Sequence, residues 1–137
     1  MPIVADIPNL GLSTVTDIGS ALTLFFAFCI GHALGDFPLQ GDFLARGKNR
    51  HLPSPILADG DRSPKRIWLY CLTFHAMIHA GLVWIITGSV VIGVIELIVH
   101  WLIDAMKSEN AFGFEADQWL HIGTKVIYVA LIWAGIL

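Results

Sequence analysis

VVIGVIELIVHWLIDAMK, residues 90–107, is an apolar run of bilayer length interrupted on one side by Glu96, His100 and Asp104. These three are spaced by four, so on an α-helix they stack above one another on a single face. An ionisable side chain is expensive in hydrocarbon and turns towards a partner inside a bundle. The stretch therefore reads as a membrane-crossing helix that shows a polar stripe to other helices and apolar side chains to lipid.

The same spacing recurs along the chain. His32/Asp36, His75/His79 and Asp117/His121 each sit inside or beside another apolar segment. The first segment is IGSALTLFFAFCIGHALG (18–35), opened by Asp17 as N-cap and stopped by Asp36, Phe37 and Pro38. The second covers 67–87, and Gly88-Ser89 turns it into the third, 90–106. A connection, KSENAFGFEA, leads to the fourth, 117–137. Each is close to the roughly 20 residues needed to cross a bilayer. Between the first two lie an amphipathic stretch, FPLQGDFLARGK, and a Pro/Gly/Asp-rich loop, 49–65. The expected fold is all-α. It is an integral membrane bundle of four transmembrane helices in one domain, 1–137, with a short amphipathic interfacial helix after the first span.

Composition agrees. The chain of 137 residues is 55% hydrophobic and 14% charged, with a mean hydropathy of +0.70, where soluble domains carry about 25% charged residues. A soluble bundle this small would lack the polar surface to stay in solution. No basic stripe is present, which excludes a nucleic-acid partner. Cys29 and Cys71 lie in apolar runs, outside any metal-binding cysteine motif, and read as buried thiols. The first 17 residues contain no Lys or Arg, so the first apolar run reads as a retained span and not as a secretory signal. Arg46, Lys48, Arg50, Arg62, Lys65 and Arg66 fall between spans one and two, and Lys107 between spans three and four. The positive-inside rule then puts both loops, including the basic segment 46–66, on the cytoplasmic side of a bacterial inner membrane, with the termini outside. Anionic headgroups are the default partner of that loop.

In this orientation His32/Asp36, His100/Asp104 and Asp117/His121 share the cytoplasmic half, and His75/His79 lie deeper, within reach. Five imidazoles and three carboxylates suit a divalent metal, zinc first and manganese or iron next. Eight groups exceed the need of one ion, so the set holds two ions, or one ion with supporting residues. The alternative is polar glue between helices without a metal. Glu96 is a candidate acid/base group, or a partner of Ser89 or Thr87. Gln40, four residues after Asp36, and Gln118 are candidates for orienting water or substrate, with surface capping as the alternative. Lys107 either snorkels to headgroups or meets a phosphate. Lys125, four residues after His121, either offsets excess carboxylate or binds an anionic substrate. His51 is read as peripheral, and Trp68, Trp101, Trp119 and Trp133 as belt or core residues.

GHALGDFPLQGDFLARGK (31–48), with its HxxxDFxLQ element, resembles the opening signature of the DUF3307 membrane-protein family. HAMIHA (75–80), IVHWLIDAMK (98–107) and DQWLH (117–121) resemble its later elements, in order. The resemblance marks His32, Asp36, Gln40, His75, His100, Asp104, Lys107, Asp117, Gln118 and His121. It implies a small polytopic protein of bacterial or phage origin. More remotely, the polar pattern is similar to that of membrane-bound metal-dependent hydrolases. The expected function is metal-dependent hydrolysis of a lipid-linked or membrane-proximal phosphoester or acyl substrate at the cytoplasmic face. Glu96, Gln40, Lys107 and Lys125 would assist the eight ligands. Two other readings stand: a metal-ion or proton-coupled carrier, which calls for a homodimer, and a non-catalytic subunit with a structural metal.

Overall fold

The computed structural model describes residues 11, 12 and 14–137. Most of the N-terminal stretch on which the retained-span reading rests, residues 1–10, lies outside them. Five helices follow in order: α1 (Ile18–Asp36), α2 (Gly41–Gly47), α3 (Ile67–Thr87), α4 (Val90–Ser108) and α5 (Phe114–Trp133). Among the described residues there is no strand, only an isolated bridge between Ile56 and Arg62. The all-α expectation holds.

Local signals set most of the ends. The Asp17 carboxylate accepts from the Ser20 amide at 2.8 Å and the Ser20 hydroxyl accepts from the Asp17 amide at 3.1 Å, a reciprocal cap on α1. α3 stops at Gly88, whose φ of 74° is the left-handed conformation glycine adopts without strain. Ser89 then caps α4 through the Ile92 amide. Three boundaries differ from expectation by more than one residue; α5 ends at Trp133, four residues short of the expected 137. α4 runs on to Ser108, and α5 starts at Phe114, three residues before the expected 117, because the Gly113 carbonyl already accepts from the Asp117 amide at 3.1 Å. Asp117 and Gln118 consequently belong to the helix proper.

The four long helices form a ring in which α1 and α4 each pack against both α3 and α5, while α2 lies on α3. Close approach depends on small residues. A Cβ at Gly93 would stand 3.0 Å from the Ala80 carbonyl oxygen, and one at Gly47 would stand 2.7 Å from Cys71 Sγ. Cys29 and Cys71 are free thiols, the second buried.

The interior divides along the bundle axis. At one end a largely apolar core joins Leu24 and Phe28 of α1, Val83 and Ile86 of α3, Ile92 of α4, and Tyr128, Val129 and Ile132 of α5, with the Thr87 hydroxyl buried beside it. Towards the other end the buried side chains include His32, His75, His79, His100, Asp104, Asp117 and His121, beside Cys71, Leu72 and Ala76, with Glu96 and Lys125 between the two regions. The exterior is apolar, with Ile18, Leu22 and Phe26 of α1, Phe74 and Met77 of α3, Val94 and Ile98 of α4, and Val126 and Ile127 of α5 all exposed. Such a distribution inverts that of a soluble bundle, whose polar side chains face outwards. Two helices, α1 and α3, are long and apolar enough to cross a membrane by length and composition. α4 carries Glu96, Asp104 and Lys107, and α5 carries Glu115, Asp117 and Lys125. Four of those six, Glu96, Asp104, Asp117 and Lys125, are buried.

Candidate metal centre

The i,i+4 pairs of all four long helices meet. His32 and Asp36 enter from α1, His75 and His79 from α3, His100 and Asp104 from α4, Asp117 and His121 from α5. Room for this comes from Gly35: a Cβ there would lie 2.4 Å from His79 Cε1 and 2.5 Å from its Nε2. The bare glycine lets the His79 ring lie against α1, next to Asp36.

The imidazoles point Nε2 into one space. His79 Nε2 lies 3.1 Å and His75 Nε2 3.4 Å from Asp36 Oδ1. His75 Nε2 is also 3.4 Å from Asp104 Oδ2 and 3.2 Å from His100 Nε2. His121 Nε2 is 3.2 Å from Asp104 Oδ1 and 3.5 Å from Asp117 Oδ1. The His79 and His100 rings stack at 3.7 Å between centroids, and those of His100 and His121 at 4.1 Å. Three ligand groups follow, each with its donor atoms within 4.8 Å of one another: Asp36/His75/His79/His100, His32/His100/His121 and Asp104/Asp117/His121. Tetrahedral bonds of about 2.0–2.1 Å place donor atoms roughly 3.3 Å apart, so these spacings match the edges of a metal's ligand shell. Two facing ring nitrogens at 3.2 Å, as in His75 and His100, can share at most one proton, which makes them suited to ligation.

Around this set stand residues that orient it. His100 Nδ1 lies 3.2 Å from Glu96 Oε1, which fixes the tautomer that leaves Nε2 free as a ligand. Gln118 donates from Nε2 to Asp36 Oδ2 at 2.8 Å, and its Oε1 accepts from His32 Nε2 at 3.2 Å. Three lysines meet the carboxylates. Lys48 Nζ donates to Asp104 Oδ2 at 2.7 Å and Lys107 Nζ to Asp117 Oδ2 at 2.6 Å, while Lys125 is bonded to Glu96.

The structure thus brings all eight expected ligands into one cluster and places the four expected assisting residues individually. Glu96 bonds neither to Ser89 nor to Thr87, because it is turned inwards to His100 and Lys125. Lys125 is fully buried on Glu96, and Lys107, half-buried, lies on Asp117. Gln40 donates to the Asp36 backbone carbonyl at 3.0 Å, so its amide closes the end of α1. His51 is exposed and pairs with Glu109 at 3.2 Å. Lys48, which sequence reading counted only as a loop charge, is the principal omission. It stands 56 residues from Asp104, and no local spacing announces their contact.

Fold and site together define a class, an all-α bundle built around a buried histidine–carboxylate cluster. Within it, the chain belongs to the DUF3307 family, described as proteins of unknown function, whose model matches residues 24–136. That match spans every residue of the cluster, from His32 to Lys125. No curated protein and no solved structure compared with the chain matches it.

Proposed function

We propose that this is a four-span membrane protein whose bundle holds one or two divalent ions, zinc first and manganese or iron next. We propose further that it hydrolyses a lipid-linked or membrane-proximal phosphoester, or an acyl substrate, at the cytoplasmic face. One observation carries the reading: side chains from four helices converge with imidazole Nε2 atoms and carboxylates 3.1–3.5 Å apart in a buried space. The apolar exterior around this polar interior supports four spans, since the charges of α4 and α5 that lower their apparent hydropathy are mostly turned inwards.

Asp36, His75, His79 and His100 would hold one ion, and Asp104, Asp117 and His121 a second. A metal in this setting supplies a water nucleophile at neutral pH and a Lewis acid for the scissile group. Glu96 holds the ring of His100, and Gln118 holds Asp36 and His32. Four carboxylates (Asp36, Asp104, Asp117, Glu96) face three ammonium groups (Lys48, Lys107, Lys125), which leaves one negative charge when the imidazoles are neutral. Divalent ions turn that balance positive. An anionic substrate would restore it, and Lys48 and Lys107, less buried than Lys125, are the cations that would turn from Asp104 and Asp117 towards such a substrate.

The three lysines also favour a second reading, a metal-free salt-bridge network that fixes the fold, because they already meet three of the carboxylates. Elemental analysis of gently purified protein separates the two. Stoichiometric zinc, manganese or iron, lost in His100→Ala and Asp104→Ala, supports the metal centre; metal at trace level, unchanged by either substitution, leaves the network reading. Hydrolysis of short-chain phosphoesters and acyl esters by the loaded protein then tests the chemistry. The carrier reading needs a wet path through the far end, where Leu24, Phe28, Ile86 and Ile132 pack instead.

A further inference from the structure

Beside the cluster, a groove of about 320 Å³ opens between the start of α3 and the end of α4. Its walls are apolar: Trp68 and Leu72 from α3, Trp101 and Leu102 from α4. Leu72 is buried and forms the floor, whereas Leu102 is exposed on the outer wall, so the groove gives onto the apolar exterior of the bundle. The Trp101 indole donates to Thr73 Oγ1 at 3.2 Å, which holds its ring as a fixed wall.

Two cations, Lys48 and Arg50, stand at one end of the groove, each resting on a carboxylate that an anionic head would displace. The Arg50 guanidinium lies 5.9 Å from the Trp68 ring, and its Nε is 2.6 Å from Glu109 Oε1. Glu109, the one acidic residue in the lining, is engaged by Arg50 and also by His51. Lys48 joins the groove to the centre, since its ammonium group rests on Asp104. An apolar trough of this volume suits a small organic ligand. Tryptophan and arginine together at one end match the headgroup level of a bilayer. A free anion has no use for the trough, and a neutral chain has no use for two cations.

We propose that this groove binds an amphiphile with a phosphate head, its head on Lys48 and Arg50 and its chain along Trp68, Leu72, Trp101 and Leu102. The proposal rests on the membrane-hydrolase reading above and gives its substrate class, because a head on Lys48 is next to Asp104.

The test is native mass spectrometry of the full-length protein released from detergent micelles. The probes are equimolar dioctanoyl phosphatidic acid and dioctanoyl phosphatidylcholine, and metal content is measured on the same samples. Phosphatidic acid should be retained about tenfold over phosphatidylcholine, given two cations at the head. The preference should vanish in Lys48→Gln/Arg50→Gln. Since that variant leaves Asp104 without its lysine, substitution of Ala105, which also lines the groove, provides an independent arm: Ala105→Phe fills the groove, keeps both cations and should abolish retention of either lipid. Equal retention of the two lipids, full retention in Ala105→Phe, or displacement of the lipid by inorganic phosphate as readily as by phosphatidic acid each overturns the proposal. Selective lipid binding by protein free of metal upholds the groove and defeats the hydrolase reading; metal at full stoichiometry without lipid selectivity defeats the groove and leaves the metal centre standing.

Discussion

Glu96 and Lys125 form a pair with both side chains 1% exposed, and that burial decides what each substitution does. Breaking a buried pair strands a charge and costs about 3–5 kcal/mol, whereas replacing both members by apolar groups of similar volume is often close to neutral. Lys125→Met and Glu96→Leu should therefore each lower the melting temperature strongly, and the double variant should recover most of the loss. Additive losses would mean that the two do not act as a pair. Glu96→Gln separates stability from function, because Gln can still accept from His100 Nδ1 but lacks the charge that raises ring basicity. Metal affinity should fall about 10–100-fold, a range seen when partners of ligating histidines are changed. A titration showing unchanged affinity would remove Glu96 from the centre. Gly35→Ala tests the packing beneath the ligands. Its Cβ would meet the His79 ring at 2.4 Å, so the ring must shift, at about 1–3 kcal/mol of stability and with loss of metal. A variant with wild-type melting and metal content would show that His79 has room to spare.

At the scale of elements, the basic loop is tied to the end of α4 by a clasp in which Arg50 and His51 both meet Glu109. Hydrogen bonds from Arg50, and next from His51, hold the Glu109 carboxyl below its ordinary value. A carboxylate whose pKa is lowered by folding contributes stability above its unfolded pKa and loses it as pH falls through the lowered one. The clasp should accordingly hold throughout the neutral range and release only in acid below the usual glutamate range. Amide exchange of residues 50–62, corrected for its intrinsic pH dependence, should rise there, and in Glu109→Gln it should be raised already at neutral pH. Release near neutrality in the wild-type chain would contradict the assignment. This clasp could not be read from sequence, because its members are 58 and 59 residues apart and reach one another only through the fold. Lys48 on Asp104 and Lys125 on Glu96 were hidden for the same reason. The i,i+4 ligand pairs were legible because helix geometry alone puts both members on one face. Asp17 and Gly88 were legible too, as a side-chain cap and a left-handed stop act within a few residues. The start of α5 was not, since Gly113 offers no side-chain cap and Asp117, the first charged ligand of the segment, drew the boundary to itself.

For the whole molecule, the separation of a polar interior region from an apolar one determines from which side the centre can be reached. Leu24, Phe28, Val83, Ile86, Ile92 and Ile132 are all no more than 5% exposed, and together they fill the bundle at the end away from the basic loop. These six side chains offer a water molecule no polar partner, and the buried Thr87 hydroxyl beside them is bonded to the Val83 carbonyl, so in a membrane the region disfavours water. The centre should then communicate only with the side that carries Lys48, Arg50 and Lys107, the cytoplasmic side in the orientation proposed from the charge of the loops. In a chain stripped of Cys29 and Cys71, Ser54→Cys should react with a membrane-impermeant maleimide only after the cell is opened. Ser89→Cys, at the α3–α4 turn, should react in intact cells. Val83→Cys and Ile92→Cys, inside the apolar region, should react from neither side. Their silence has meaning only beside a reactive Ser89→Cys, which proves that the outer end is in reach of the reagent. If Val83→Cys were labelled from outside, water would pass through the apolar end, and a metal or proton carrier would become the better account of the same histidines and aspartates. If Ser54→Cys were labelled in intact cells, the bundle would be inverted and the proposed substrate would have to be sought on the opposite leaflet.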